Sequence, residues 1–138
     1  MVTVTKTIFF NEAPQKLFLI MTNNKEYTWR SDIKKIEEIE NGRSFIGYTK
    51  KNVPTLYHIT KRIPNKEYCF TMENNDFHGK WAGFLQESGQ GTTLTITETI
   101  QLKNKWTKPF VKRSIEKWQT SYLNDLTIAI NKRRDDII

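Results

Sequence analysis

Apolar and polar positions alternate from the second residue. Val2, Val4, Ile8 and Phe10 share one phase, and threonines fill much of the other, so residues 2–10 read as a strand. Asn11 then stands as a helix N-cap and Pro14 in the first helical turn, where a missing N–H is harmless. Leu17, Phe18, Ile20 and Met21 give this short helix one apolar face, and Asn23-Asn24 ends it. The stretch KEYTWRSD is irregular, with Tyr27 and Trp29 expected to plug one end of the core. Residues 33–40 form a weaker strand, because Ile33, Ile36 and Ile39 recur every third position, the spacing of a bulged strand or a helical turn.

Five further strands follow at short intervals. Asn41-Gly42 is a hairpin turn leading into residues 44–50, with Ile46 and Tyr48 on one side. Pro54 precedes residues 55–63, where Tyr57, Ile59 and Ile63 are in phase. Pro64-Asn65 leads to 67–73, which places Tyr68, Phe70 and Met72 together. Asn74-Asn75-Asp76 turns into 77–86, with Phe77, Trp81 and Leu85 inside, and Gly89 and Gly91 turn into 92–102. The period then changes. Thr107 caps and Pro109 opens a helix to about residue 132, whose stripe is Val111, Ile115, Trp118, Tyr122, Leu126, Ala129 and Ile130.

One strand, a short helix, six strands joined by tight turns and a long amphipathic helix predict an α+β chain. The strands form a seven-stranded curved antiparallel sheet, and the C-terminal helix lies in its concavity, a helix-grip arrangement. A single helix does not fill a wide concavity, so the pattern predicts room between sheet and helix. No linker, repeat or low-complexity block divides residues 1–138, and one domain accounts for the length.

Composition adds aromatic weight: eight Phe, five Tyr and four Trp. No apolar run is long enough for an integral membrane segment, and MVTVTKTIFF lacks the features of a signal peptide. The single cysteine, Cys69, has no internal disulfide partner, so a reducing cytoplasm is expected. Net charge is +7 and unevenly spread. Residues 43–66 hold six basic side chains and no acid, and residues 103–117 hold six basic against one acid. Such runs attract anions, nucleic acid or acidic membranes, or simply solvate a surface. The chain carries no RNA-binding aromatic signature or zinc knuckle, so no nucleic-acid partner is expected.

Glu98 carries the candidate chemistry. It falls in phase with Leu94, Ile96 and Ile100, on the apolar side of its strand. A buried carboxylate is costly unless paired. It is therefore either an anchor or base at a site, or an acid satisfied by a neighbour. Tyr48, Tyr57, Tyr68 and Tyr122 add hydroxyls to inward phases, and Trp81 and Trp118 offer flat walls. His58 and His78 face outward with no nearby His or Cys partner, so no metal is expected, and no nucleophile–base pair assigns a catalytic residue.

The wording of several segments resembles the START-like, or SRPBCC, superfamily, which includes the birch pollen allergen group and the polyketide cyclase/dehydrase family. The segments are "FFNEAPQKLFLIM", "YTWRSDIKKIEEI", "HITKRIPNKEYCFTM" and "GQGTTLTITETI", followed by the final helix. The resemblance implies an internal hydrophobic cavity and a ligand such as a lipid, polyketide or quinone, without a shared catalytic motif or cofactor. The expected function is binding of a hydrophobic or amphipathic small molecule by Tyr48, Tyr57, Met72, Trp81, Glu98, Trp118 and Tyr122. Two alternatives stand beside it: a cyclase or dehydratase using Glu98 as acid or base, and a protein-binding module of the same fold.

Overall fold

The computed structural model describes the backbone of residues 1–103 and 110–137, and side chains up to residue 132. Thr107 and Pro109, expected to start the final helix, lie outside the described residues. The order is β1 (Val2–Phe10), α1 (Pro14–Thr22), β2 (Ile33–Ile39), β3 (Ser44–Thr49), β4 (Pro54–Ile63), β5 (Glu67–Glu73), β6 (Phe77–Ser88), β7 (Gly91–Leu102) and α2 (Val111–Ile137). The last helix therefore continues past residue 132. No helix among the described residues is long and apolar enough to cross a membrane.

The strands form one seven-stranded sheet in the order β1-β7-β6-β5-β4-β3-β2, with every pairing antiparallel. Strands β1 and β2 are its edges. Antiparallel pairing gathers the starts of β1, β2, β4 and β6 with the ends of β3, β5 and β7 at one end of the sheet. Helix α1 and the β2–β3, β4–β5 and β6–β7 turns occupy the other.

Helix α2 crosses the concave face against β1, β7 and α1. It buries Val111, Ile115, Tyr122, Leu123, Leu126 and Ile130. Gln119, on the same stripe, is only 1% exposed. Its Nε2 donates to the Val4 carbonyl at 2.9 Å, which fastens the helix to an edge strand. On the convex side, Thr3, Thr5 and Thr7 meet Thr99, Thr97 and Thr95 in hydroxyl pairs at 3.0, 3.2 and 3.2 Å. Such cross-strand pairs support the β1–β7 register.

Several local expectations are corrected. The N-cap of α1 is Ala13 rather than Asn11, and Pro14 follows it directly. The hairpin between β2 and β3 uses Glu40, Asn41 and Gly42, all at positive φ, where a two-residue Asn-Gly turn was expected. In β3 the concave face takes Phe45 and Gly47, and Tyr48 turns to the convex side. The Phe45 ring stacks on Tyr57 at 4.7 Å, and burial of this wholly apolar ring, rather than of the hydroxyl-bearing Tyr48, selects this phase. In β4 the register shifts between Ile59 and Lys61. That bulge turns Ile63 outward, 40% exposed. Arg62 turns inward instead and donates to Thr22 Oγ1 at 3.3 Å. Strand β2 carries the expected bulge, between Ile33 and Lys35.

Gly91 begins β7 where the chain passes β1 most closely. A Cβ there would strike the Phe10 carbonyl oxygen and the Phe9 ring. The obstacle includes backbone, which has little freedom to move. Gly91→Ala is expected to lower stability by about 1–3 kcal/mol, read as a lower urea midpoint. An unchanged midpoint would mean that this corner has slack.

Candidate functional site

The concave face is built by cross-strand register. Val4, Glu98, Trp81 and Phe70 are successive partners on β1, β7, β6 and β5. In antiparallel sheets directly opposed residues share a face, so Glu98 stands between Val4 and Trp81 beneath α2. A neighbouring row holds Ile100, Gly79, Met72, Tyr57 and Phe45. Glycine at position 83 leaves space that the Trp81 ring occupies: a Cβ there would lie 2.9 Å from that ring.

The rings form a continuous chain of contacts. Tyr57 packs edge-on to Phe70 at 5.4 Å, Phe70 stacks on Trp81 at 4.9 Å, and Trp81 meets Tyr122 of α2 at 5.4 Å. Tyr122 meets Trp29 at 5.4 Å. Arg30 completes the chain, its guanidinium 4.9 Å from the Tyr122 ring and 5.6 Å from that of Trp29. Its fork is taken by Asp32, with Nε to Oδ1 at 3.0 Å and Nη2 to Oδ2 at 2.9 Å. The result is an aromatic wall with one ion pair at its margin and one carboxylate inside it.

Glu98 is 6% exposed and makes no hydrogen bond or ion pair within 4 Å among the described residues. Burial pushes its carboxyl from the ordinary 4.5 up to about 7; Arg30 draws it down and Asp32 adds to the rise. Burial also raises the hydroxyls of Tyr57 and Tyr122, so both remain protonated donors. Arg30 is raised as well, for a different reason. Burial disfavours its charge, but the charge and hydrogen bonds of Asp32 outweigh that, and its pKa is raised. Tyr68 lies on the same face, 2% exposed, and its hydroxyl makes no well-formed hydrogen bond. A buried carboxyl without a hydrogen-bonding partner among the described residues is unusual, because buried polar groups normally find partners.

Five of the seven residues expected to line a pocket meet on this face: Tyr57, Met72, Trp81, Glu98 and Tyr122. Two do not join them. Tyr48 lies on the convex side, where its hydroxyl donates to Glu37 Oε2 at 3.4 Å and Lys35 sits over its ring. Trp118 is 45% exposed and leans on Phe77 at 5.9 Å, at the sheet end opposite α1. Arg30 and Asp32 were not foreseen. Their signal was the Trp-Arg-x-Asp run in an irregular segment, which sequence periodicity does not interpret.

The aromatic chain runs through the space expected between sheet and helix. Depressions open on the surface among the described residues, three of them as follows. One of about 1020 Å³ runs between β1 and α2 past Lys6 and Gln119. One of about 740 Å³ lies by Pro14 and the β4–β5 turn, and one of about 420 Å³ lies beside Trp29, Ile20 and Asp125. None is lined by Trp81, Glu98 or Tyr122, and only the last touches the aromatic chain, through Trp29. His58 and His78 stay on the convex face, His58 Nδ1 paired with Ser44 Oγ at 2.8 Å and His78 with Glu73. No group of three metal-ligating side chains occurs among the described residues.

No protein-family model matches this sequence, and no curated protein is significantly similar to it. Solved structures are similar in fold. A START superfamily protein from Mycobacterium smegmatis superposes with a TM-score of 0.81 at 14% identity, over 94% of this chain and 97% of that one. A conserved protein from Geobacillus kaustophilus gives 0.81 at 10% identity, over 95% and 96%. The Aha1 dimer from Colwellia psychrerythraea gives 0.69 at 18% identity, over 90% and 92%. The resemblance read from the sequence therefore holds for the fold, which is START-like, and identities this low speak for the fold alone.

Proposed function

We propose that this START-like chain holds a hydrophobic or amphipathic small molecule against its concave aromatic face, with Glu98 as the polar anchor. The observation that carries this reading is the Glu98 carboxyl, buried beside Trp81 without a partner among the described residues. A group in that state destabilises the unliganded protein. Such a cost is typical of positions held for function. Trp81, Phe70, Tyr57 and Tyr122 supply the apolar contact area, at roughly 25 cal/mol per Å² buried. A ligand reaches Glu98 by displacing rings, which the isolated protein keeps closed over it. A reducing, cytoplasmic location is part of this reading and rests on the unpaired Cys69.

The test is twofold. Native mass spectrometry of gently purified protein is expected to show a bound small molecule. Titration with a neutral naphthylamine dye is expected to give saturable fluorescence. A protein that carries no small molecule and takes up no dye would refute the proposal.

One observation favours catalysis as a second reading. A carboxyl poised near 7 exchanges a proton readily at neutral pH. Tyr57 and Tyr122, held protonated, are donors within the same aromatic chain. A cyclase or dehydratase would use Glu98 to take a proton from a bound carbonyl compound. Glu98→Gln would then abolish turnover while leaving dye binding intact.

A further inference from the structure

Part of each basic run lies at one end of the sheet, Lys50 and Lys51 between β3 and β4, and Arg113 and Lys117 beside the groove between α2 and β1. Lys50 and Lys51 form the β3–β4 turn, at the sheet end opposite α1. Lys112, Arg113 and Lys117 lie on the first turns of α2. Trp118, beside them, packs on Phe77, the first residue of β6, which puts that part of the helix at the same end. None of these five cations makes an ion pair among the described residues. The acids nearby are largely engaged: Asp32 by Arg30, Glu37 by Lys35, and Glu73 by Lys103 and His78. Asp76 and Glu116 remain.

Apolar side chains protrude among these cations. Val53 is 43% exposed in the β3–β4 turn, Phe110 is 67% exposed just before α2, and Trp118 is 45% exposed. The end is held together by side-chain bonds. Lys34 Nζ donates to Asn52 Oδ1 at 3.0 Å, and Asn74 Nδ2 to Thr55 Oγ1 at 3.0 Å. Lys103 Nζ reaches Glu73 Oε1 at 2.8 Å and the Asn74 carbonyl at 2.6 Å. The α1 end also carries cations, but there Lys61 is paired with Glu67, Arg62 is turned in to Thr22, and Lys66 shares its depression with Glu67 and Glu87 beside the exposed Ile63 and Phe84.

We infer that the sheet end opposite α1 docks on an anionic lipid bilayer, with Lys50, Lys51, Lys112, Arg113 and Lys117 facing headgroups and Val53, Phe110 and Trp118 entering the interface. Lysine and arginine heads on long stems, with Trp and Phe between them, match a surface that is charged outside and apolar a few ångströms below. A nucleic-acid track fits less well, because Val53 and Phe110 interrupt the cations and offer phosphate nothing. The inference does not depend on the concave-face reading, since docking serves whatever the protein carries.

Co-sedimentation of the whole protein with vesicles tests it. Phosphatidylcholine vesicles with about one-third phosphatidylglycerol are expected to bind at about 0.1 M salt and release it at about 0.5 M, and pure phosphatidylcholine to bind much less. Lys50→Glu with Lys51→Glu is expected to lower vesicle affinity at least about tenfold. Phe110→Ser is expected to lower it severalfold. Lys50→Glu and Lys66→Glu change net charge equally, but Lys66 is in the β4–β5 turn at the α1 end, and its variant is expected to stay within about twofold of the parent. Trp81→Phe, which alters the concave face, is expected to bind vesicles like the parent protein. Three outcomes overturn the inference: no vesicle binding, equal loss from Lys50→Glu and Lys66→Glu, or duplex DNA outcompeting anionic vesicles regardless of Phe110→Ser.

Discussion

Glu98→Gln raises the thermal unfolding midpoint at about pH 8 and raises it much less at about pH 5. The direction follows from linkage. The carboxyl is held near 7 in the folded protein and titrates near 4.5 when exposed. At a pH below both values it is neutral in each state and contributes no difference. As pH rises past 4.5 the unfolded chain gives up its proton first, while the folded protein must retain it or bury a charge. Stability therefore falls with rising pH through this window and levels off above 7. The deficit at about pH 8 is about 3 kcal/mol, from 1.36 kcal/mol per pKa unit. Glutamine keeps the shape and removes the titration, so the gain is on the order of 10 °C for a chain of this size. Calorimetry on both proteins at both pH values measures it. A lower midpoint for the variant at about pH 8 would show that ionised Glu98 is stabilised in the fold, with Arg30 as the partner to suspect.

Trp81→Ala has the largest expected cost. Its ring is the hub of the concave face, stacked on Phe70 and edge-on to Tyr68 and Tyr122, at 6% exposure. Truncation of a buried tryptophan removes about 3–5 kcal/mol, a large part of the roughly 5–15 kcal/mol that holds a domain together. Urea titration is expected to show that loss with an unchanged slope; a loss under about 1 kcal/mol would mean the layer repacks freely. Function is better probed with Trp81→Phe, which stays folded at smaller cost. Removal of the second ring is expected to weaken neutral-dye uptake about fivefold. Unchanged affinity in a folded Phe variant would place the dye away from this wall.

Glu98 could be read from the sequence because β7 is a long strand that alternates without a break from Leu94 to Ile100. Trp81 and Met72 were legible for the same reason. Legibility failed where one inserted residue reverses the phase, as in β4, where the bulge exchanges Ile63 for Arg62. It failed again in β3, a six-residue strand with two acceptable phases, where the stack of Phe45 on Tyr57 decides against Tyr48. Arg30 was out of reach for another reason. It lies in a segment with no period, and its role comes from Asp32 nearby in sequence and Tyr122 far from it. Ordered strands advertise their inward residues; side chains delivered by loops do not.

The amide that joins Gln119 to Val4 also has a consequence for colloidal behaviour. A seven-stranded open sheet has two flanks that can recruit foreign chains into a growing ribbon. On the β1 flank that amide occupies a carbonyl otherwise available to an intruder, and α2 screens the apolar surface behind it. The terminal helix thus acts as a chaperone built into the chain: while it stays in place, one route toward fibrous self-assembly is barred.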